Sequence, residues 1–224
     1  MAMMKRTYPA IFAILVLALA LPAVAPATLA EVGVIPPTTS PETVPSCPAS
    51  PCLAVSRTTG FQLKVAKNTT LMTVPRSGSI VAWTVMLGKP NATQIKFFNA
   101  NEGGVAEAGV AILRAQKPKL TWKLIASSPT VKLQPYFGKT AQFPLERTIA
   151  VKKGDVVAMT VPTWAPALAL GFGKDTSWRA SRARRQCAST SAQSTHTSIG
   201  SSVQYFCLYQ TARLTYSATL VSTP

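Results

Sequence analysis

The sequence predicts an all-β protein, a single antiparallel β-sandwich of jelly-roll type, and three observations carry that prediction. From Leu53 onward apolar residues recur with a period of two, helical spacing is scarce, and turn-forming clusters interrupt the chain at short intervals. Alternation of that period puts apolar side chains on one face of an extended strand. A succession of short, one-faced strands buries those faces by stacking two sheets, and a jelly roll is a common way to connect them.

Taken in chain order, residues 1–30 read as a secretory leader. Lys5 and Arg6 give a basic head, Ile11 to Leu21 form an uninterrupted apolar run, and Pro22 begins a stretch of small residues ending at Ala30. Pro22 and Pro26 argue against an uncleaved anchor, because a spanning helix must satisfy its backbone internally and proline has no N–H to offer. Cleavage is expected after Ala27 or Ala30, with the mature chain starting near Glu31, secreted to the outside or the cell envelope and without a membrane span. Residues 31–46 are rich in Pro, Thr, Ser and Val and read as a linker, since they bury too little to offset the entropy of ordering them. Residues 47–224 then form one domain, of a size that buries ~70% of its unfolded surface around a single core.

Within that domain Arg213 to Val221 alternates cleanly, with Leu214, Tyr216, Ala218 and Leu220 on one face. Leu120, Trp122 and Leu124 alternate with Thr121 and Lys123, and Val203 to Gln210 is aromatic and β-branched. Ser79 to Leu87 is apolar on both faces, as a doubly covered strand would be. Further strands are expected at Phe61 to Ala66, Thr70 to Val74, Gln94 to Phe98, Val110 to Ala115, Ala141 to Val151, Val156 to Val161 and Ala167 to Phe172. The turns between them include RSG at 76, GKPN at 88, NEGG at 101 and KKGD at 152.

Four cysteines, Cys47, Cys52, Cys187 and Cys207, fit an exported protein and read as disulfides. Four cysteines allow three connectivities; Cys47 with Cys52 and Cys187 with Cys207 each close a local loop and are the favoured pairs. A zinc site made by all four is the alternative, and it competes poorly with oxidation outside the cell. Their position at the two ends of the domain disfavours an immunoglobulin-type sandwich, which needs a bridge around a mid-chain Trp.

GSIVAWTV, a strand ending in ILR, TIAVKKGDVVAM and the C-terminal CLYQTARLTYSATLV resemble a group of uncharacterised exported β-sandwich proteins of high-GC Gram-positive bacteria. The likeness spans residues 53 to 224 and rests on Gly78, Trp83, Gly154, Asp155 and Tyr216, positions that concern turns and core. It implies the fold and no activity.

Catalytic groups are scarce. His196 is the only histidine and lies in the polar run STSAQSTHTSIGSS, where a solvated loop residue is expected. Of seven acidic residues, five lie in the domain: Glu102, Glu107, Glu146, Asp155 and Asp175. A polysaccharide hydrolase needs two opposed carboxylates, and Glu146 with Asp155 is the conceivable pair, although KKGD is explained by a hairpin turn. No acidic cluster suits calcium, and neither a metal nor a cofactor is expected.

Basicity is the chain's chief chemical signal. Without Lys5 and Arg6, 21 of the 23 Lys and Arg residues remain against 7 Asp and Glu, a net charge of +14. The densest cluster is Trp178, Arg179, Arg182, Arg184 and Arg185, in which an aromatic ring beside guanidinium groups would stack on a sugar while the arginines take an anion. Lys117, Lys119 and Lys123 form a second stretch on a hairpin, where Lys commonly protects a strand edge. Trp83 and Trp122 are expected in the core, Trp164 and Trp178 at the surface. The expected function is a secreted, non-enzymatic module binding an anionic polymer or a glycan of the envelope, without specific nucleic-acid recognition. A hydrolase acting on polysaccharide and a structural coat or matrix protein are the alternatives.

Overall fold

A computed structural model describes residues 27–35, 44–45, 47–48, 53–188 and 194–222. Two antiparallel sheets stack face to face, as the sequence predicts. The smaller contains β1 (Leu29–Val32), β3 (Gly78–Met86), β7 (Thr140–Val151) and β14 (Tyr216–Ser222), in the order β1-β14-β3-β7. The larger is built on β2 (Val55–Lys64), β4 (Glu107–Gln116), β5 (Thr121–Ser127) and β8 (Val156–Ala165), paired as β5-β4-β8-β2. Among these eight principal strands the chain crosses between sheets at every step except β4 to β5. That interleaving is the jelly roll.

The larger sheet extends beyond the jelly roll at both ends. Past β2 it gains β10 (Ser177–Ala180) and β12 (Cys207–Gln210), and past β5 it gains β11 (Ser202–Gln204). A short β6 (Val131–Lys132) pairs with β4, and β9 (Leu168–Leu170) with β13 (Ala212–Leu214) forms a separate ribbon. The core lies between the sheets: Ile80, Trp83 and Val85 of β3 and Tyr216, Ala218 and Leu220 of β14 are buried on one side, Ile112, Val157 and Met159 on the other. Tyr216 ties the sheets together, its hydroxyl donating to the Val157 carbonyl at 2.9 Å. Among the described residues no helix is long and apolar enough to cross a membrane.

Several local expectations are corrected. Gln94 to Phe98 is not a strand but part of α1 (Ala92–Asn101). Asn91 caps it: Gln94 N–H donates to Asn91 Oδ1, Asn91 N–H donates to Gln94 Oε1, both at 2.9 Å, and this reciprocal pair starts the helix. Thr70 to Val74 makes only an isolated bridge, Thr73 to Val156. The strand buried on both faces is β8, fully so from Val156 to Val161, whereas β3 alternates between buried and half-buried positions. A layer of chain over the outer face of the larger sheet accounts for this: His196 N–H donates to Thr59 Oγ1 at 3.1 Å, and Tyr205 packs against Phe61.

The leader lies outside the described residues except for its last four. Leu29 and Ala30 belong to β1, which pairs with β14 from Leu29 opposite Val221 to Val32 opposite Ala218. The expected boundary after Ala30 therefore falls within a strand. Of the expected linker, Val32 and Pro45 are buried, and the Pro45 carbonyl accepts from Gln94 Nε2 at 2.6 Å.

Candidate functional site

The end of the larger sheet formed by β2, β10 and β12 carries a cleft of about 450 Å³, and a groove on the other flank, beside Trp83 and Phe143, is about 530 Å³. Ser56 and Thr58 of β2, Trp178 of β10, and Leu208 and Tyr209 of β12 line the cleft, together with Leu168 and Leu170 of β9. Phe98 and Glu102, from the end of α1, face the same space.

Sheet pairing sets the aromatic wall. Trp178 lies directly across from Tyr209, and the two rings stack with centroids 4.6 Å apart. On the other side of β10, Gly60 lets the indole approach: a Cβ there would sit 2.9 Å from Trp178 Cε3 and Cζ3. The disulfide Cys187–Cys207 closes the wall, its S–S distance 2.05 Å. The Cys187 carbonyl accepts from both Tyr209 Oη at 2.8 Å and Arg182 Nη1 at 3.1 Å. Arg182 Nη1 also donates to Tyr209 Oη at 2.7 Å. Opposite, Glu102 accepts from Arg57 Nε at 3.0 Å.

This arrangement corrects the expected surface cluster. Trp178 is buried, 4% exposed, and so is Trp164, whose ring stacks on Phe98 at 4.6 Å and whose Nε1 donates to Gly104 O and Asn99 Oδ1. Arg182 is buried, and Arg179 spends its guanidinium on the carbonyls of Tyr205 and Phe206 at 3.2 and 2.9 Å. Burial pulls the Arg179 pKa below its ordinary value. Only Arg184 and Arg185 stay exposed, with Arg184 Cζ 4.8 Å from the Phe206 ring centroid. Trp83 is buried as expected, and Trp122 is half-buried with its edge toward Phe61.

The cysteines agree with the pairing favoured from the sequence where they are described. Cys187 and Cys207 are bridged, so they supply no thiolates and the four-cysteine zinc site is excluded. Cys47 is disulfide-bonded; its expected partner, Cys52, lies outside the described residues.

His196 is the plainest correction, for it is buried and not a solvated loop residue. Its Nδ1 lies 3.1 Å from Tyr205 Oη, and its Nε2 lies 2.9 Å from Ser201 Oγ and 3.2 Å from the Ser201 carbonyl. A serine, a histidine and an orienting hydroxyl in a row invite comparison with a nucleophile and its base. The polarity is wrong for that role. A carbonyl facing Nε2 requires a hydrogen there, and Ser201 Oγ donates to Ser198 O at 2.6 Å, so the imidazole donates to serine and cannot take its proton. His196 pins the segment that covers the sheet.

The carboxylates are engaged separately. Asp155 is buried and takes a two-pronged contact from Arg114, at 2.7 and 2.9 Å, plus the Lys152 amide at 2.9 Å. That bond to Asp155 raises the Arg114 pKa. Gly154, at φ +89°, makes the turn that aims it, as the KKGD sequence predicts. Glu146 lines a separate groove beside Trp83 and Phe143 in which it is the only carboxylate, and Glu102 is the only one lining the cleft.

Leu168, Leu170, Leu208 and Phe98 carry no sequence signal as site residues, and Glu102, one of the five domain carboxylates, is buried at the cleft instead of solvated in a loop. The one signal for Tyr209 was the pairing of Cys187 with Cys207, which brings residues 207–210 beside 178–188. Compared with protein-family models, with curated proteins and with solved structures, the chain has no match.

Proposed function

We propose that the chain is a secreted, non-enzymatic binding module whose ligand seats in the cleft beside β10 and β12. The observation that carries this reading is a ligand-sized concavity coinciding with backbone strain. Small-molecule sites span roughly 300 to 1,000 Å³, and this cleft, about 450 Å³, lies in that range. Arg57, which holds Glu102, and Thr211, on the cleft wall, both adopt left-handed backbone conformations, with φ +38° and +59°. Such conformations cost roughly 1 to 3 kcal/mol in a non-glycine residue; Ala66, Leu120 and Arg185 adopt them too, outside the cleft's lining. The leader sequence and the Cys187–Cys207 bridge support export, since disulfides persist in oxidising compartments. The engagement of Glu102 by Arg57, and the donor polarity of His196, favour binding over catalysis.

A second reading places an anionic polymer on the exposed turn of Arg184 and Arg185, supported by the strong basicity of the chain. Thermal unfolding of the wild type, Leu208→Glu and the double variant Arg184→Ser/Arg185→Ser, each with a panel of envelope lipids, glycans and sulfated polymers, separates the two. A ligand at a hundred times its Kd stabilises by about 2.7 kcal/mol. The cleft reading expects that gain in the wild type and the arginine variant and its loss in Leu208→Glu. The reverse pattern moves the site to the turn.

A further inference from the structure

The cleft's lining narrows the class of ligand beyond binding as such. A sugar site needs an open aromatic face and hydroxyl partners around it. Ser56, Thr58 and Gln210 supply polar groups, but Trp178 lacks the open face: Tyr209 covers one side of the indole, the Gly60 backbone lies against its six-membered ring, and only 4% of the residue is exposed. The Tyr209 hydroxyl is already committed to the Cys187 carbonyl. What the cleft presents instead is leucine. Leu168 and Leu170 form its floor, while Leu53 and Leu208, 40% and 41% exposed, stand at its mouth. They are two of only seven exposed large hydrophobic residues among those described. Apolar side chains grouped at the rim of a concavity mark a surface that is covered when occupied. Charge gives the second half of the description. Arg182 and Glu102 line the cleft, and Arg57, outside the lining, pairs with the Glu102 carboxylate at 3.0 Å, so the three together carry one net positive charge.

Resting on the cleft as the binding site, we propose that its ligand is a single-chain amphiphile: one apolar chain against Leu168, Leu170 and Leu208, ending in an anionic group on the arginine side. An acyl chain binds more tightly with each methylene it buries, so chain length governs affinity. The anionic end then sets the direction in which the chain enters.

Calorimetric titration of the exported protein tests this with dodecanoate, dodecyltrimethylammonium and a neutral glucan hexasaccharide, each below its aggregation threshold. Dodecanoate is expected to bind at least tenfold more tightly than the cation of equal chain length. Shortening it to octanoate should weaken binding by at least tenfold. Leu208→Glu should weaken dodecanoate by at least tenfold, and Leu208→Ser, which removes the leucine without adding a negative charge, by less. Lauroyl lysophosphatidylglycerol separates the two sources of such a chain: tighter binding than dodecanoate assigns a lipid, weaker binding a free acid, and either carries the proposal. Hexasaccharide binding that Leu208→Glu abolishes, with no binding of dodecanoate, overturns the ligand class and leaves the cleft standing. Dodecanoate binding unchanged in both Leu208→Glu and Leu170→Glu overturns the cleft itself, and no binding of any amphiphile overturns the proposal.

Discussion

The middle of the larger sheet and its β10–β12 end are made of the same kind of strand but solve different problems. In the middle, β4 and β8 pair in unbroken register from Gly109 opposite Thr160 to Leu113 opposite Val156, and both are buried over that stretch. At the end, β10 pairs with β2 through a register shift at Ser177 and Trp178, and a disulfide fastens the wall. Arg179 and Arg182 there direct guanidinium groups to backbone carbonyls. The guanidinium bonds satisfy those carbonyls, whereas left-handed φ at Arg57 and Thr211 is a local cost that stability alone does not select. The difference teaches where to look for function in an all-β chain that lacks a catalytic motif: at the flank whose local choices disagree with the fold around it.

The sharpest way to break that contrast is to remove a large side chain from the central core. Trp83 is 1% exposed and packs against Phe143 with ring centroids 4.9 Å apart. Trp83→Ala should cost about 3 to 5 kcal/mol, read as a lower urea midpoint at unchanged slope. Leu208→Glu, at the mouth of the cleft, should leave that midpoint within ~0.5 kcal/mol. Equal losses from the two would mean that the flank is as much a part of the core as β3.

Next in size is the bridge. Cys187 and Cys207 are 20 positions apart in sequence, and closing a loop of that order restricts the unfolded chain by ~3 kcal/mol in the entropic model. The paired substitution Cys187→Ser/Cys207→Ser should lower global stability by about that amount. It should also release amide protection first in residues 177–188 and 207–210, because the Cys187 carbonyl that holds Tyr209 and Arg182 loses its anchor. Uniform loss across β4 and β8 as well would show one cooperative unit and erase the distinction.

The fold was legible because the strands that make the jelly roll carry the period-two pattern in their own sequences, as in Arg213 to Val221 and Ala141 to Val151. Strand limits moved where distant partners intervene: Thr215 interrupts the last run between β13 and β14, its amide donating to Ala167 O and its hydroxyl to Met86 O. α1 was misread because an Asn cap answered by Gln three residues on is a weak signal beside the apolar Ile95, Phe97 and Phe98. The candidate site was much less legible. Density of arginine says nothing about burial, and the fate of Arg179 and Arg182 depends on carbonyls 26 to 27 and 5 positions away that only folding brings near. His196 sat in a polar run for the same reason: its backbone partner, Thr59, is 137 positions distant.

His196 yields the smallest expected effect and the finest distinction between the regions, since it fastens the covering layer over the sheet's middle and touches none of the cleft. Burial holds its pKa below the ordinary value, against the hydrogen bond to the Ser201 carbonyl, which acts in the opposite direction. In the folded protein the ring is therefore neutral, with Nε2–H donating to Ser201 and Nδ1 accepting from the buried Tyr205 hydroxyl. Protonating Nδ1 would place a hydrogen against that hydroxyl and charge a desolvated ring. The unfolded chain, with its histidine near 6.5, takes up the proton first as pH falls. Because the unfolded state then binds more protons, stability is full above about pH 6.5 and declines below it, by at most ~1.4 kcal/mol per pH unit, until the folded-state pKa is reached. Urea midpoints measured from pH 7.5 to 5 should fall for the wild type, and the His196→Gln variant should show a flatter profile from a lower starting point. A wild-type midpoint that rises on acidification through this range would reverse the sign and show that the ring is charged in the folded protein.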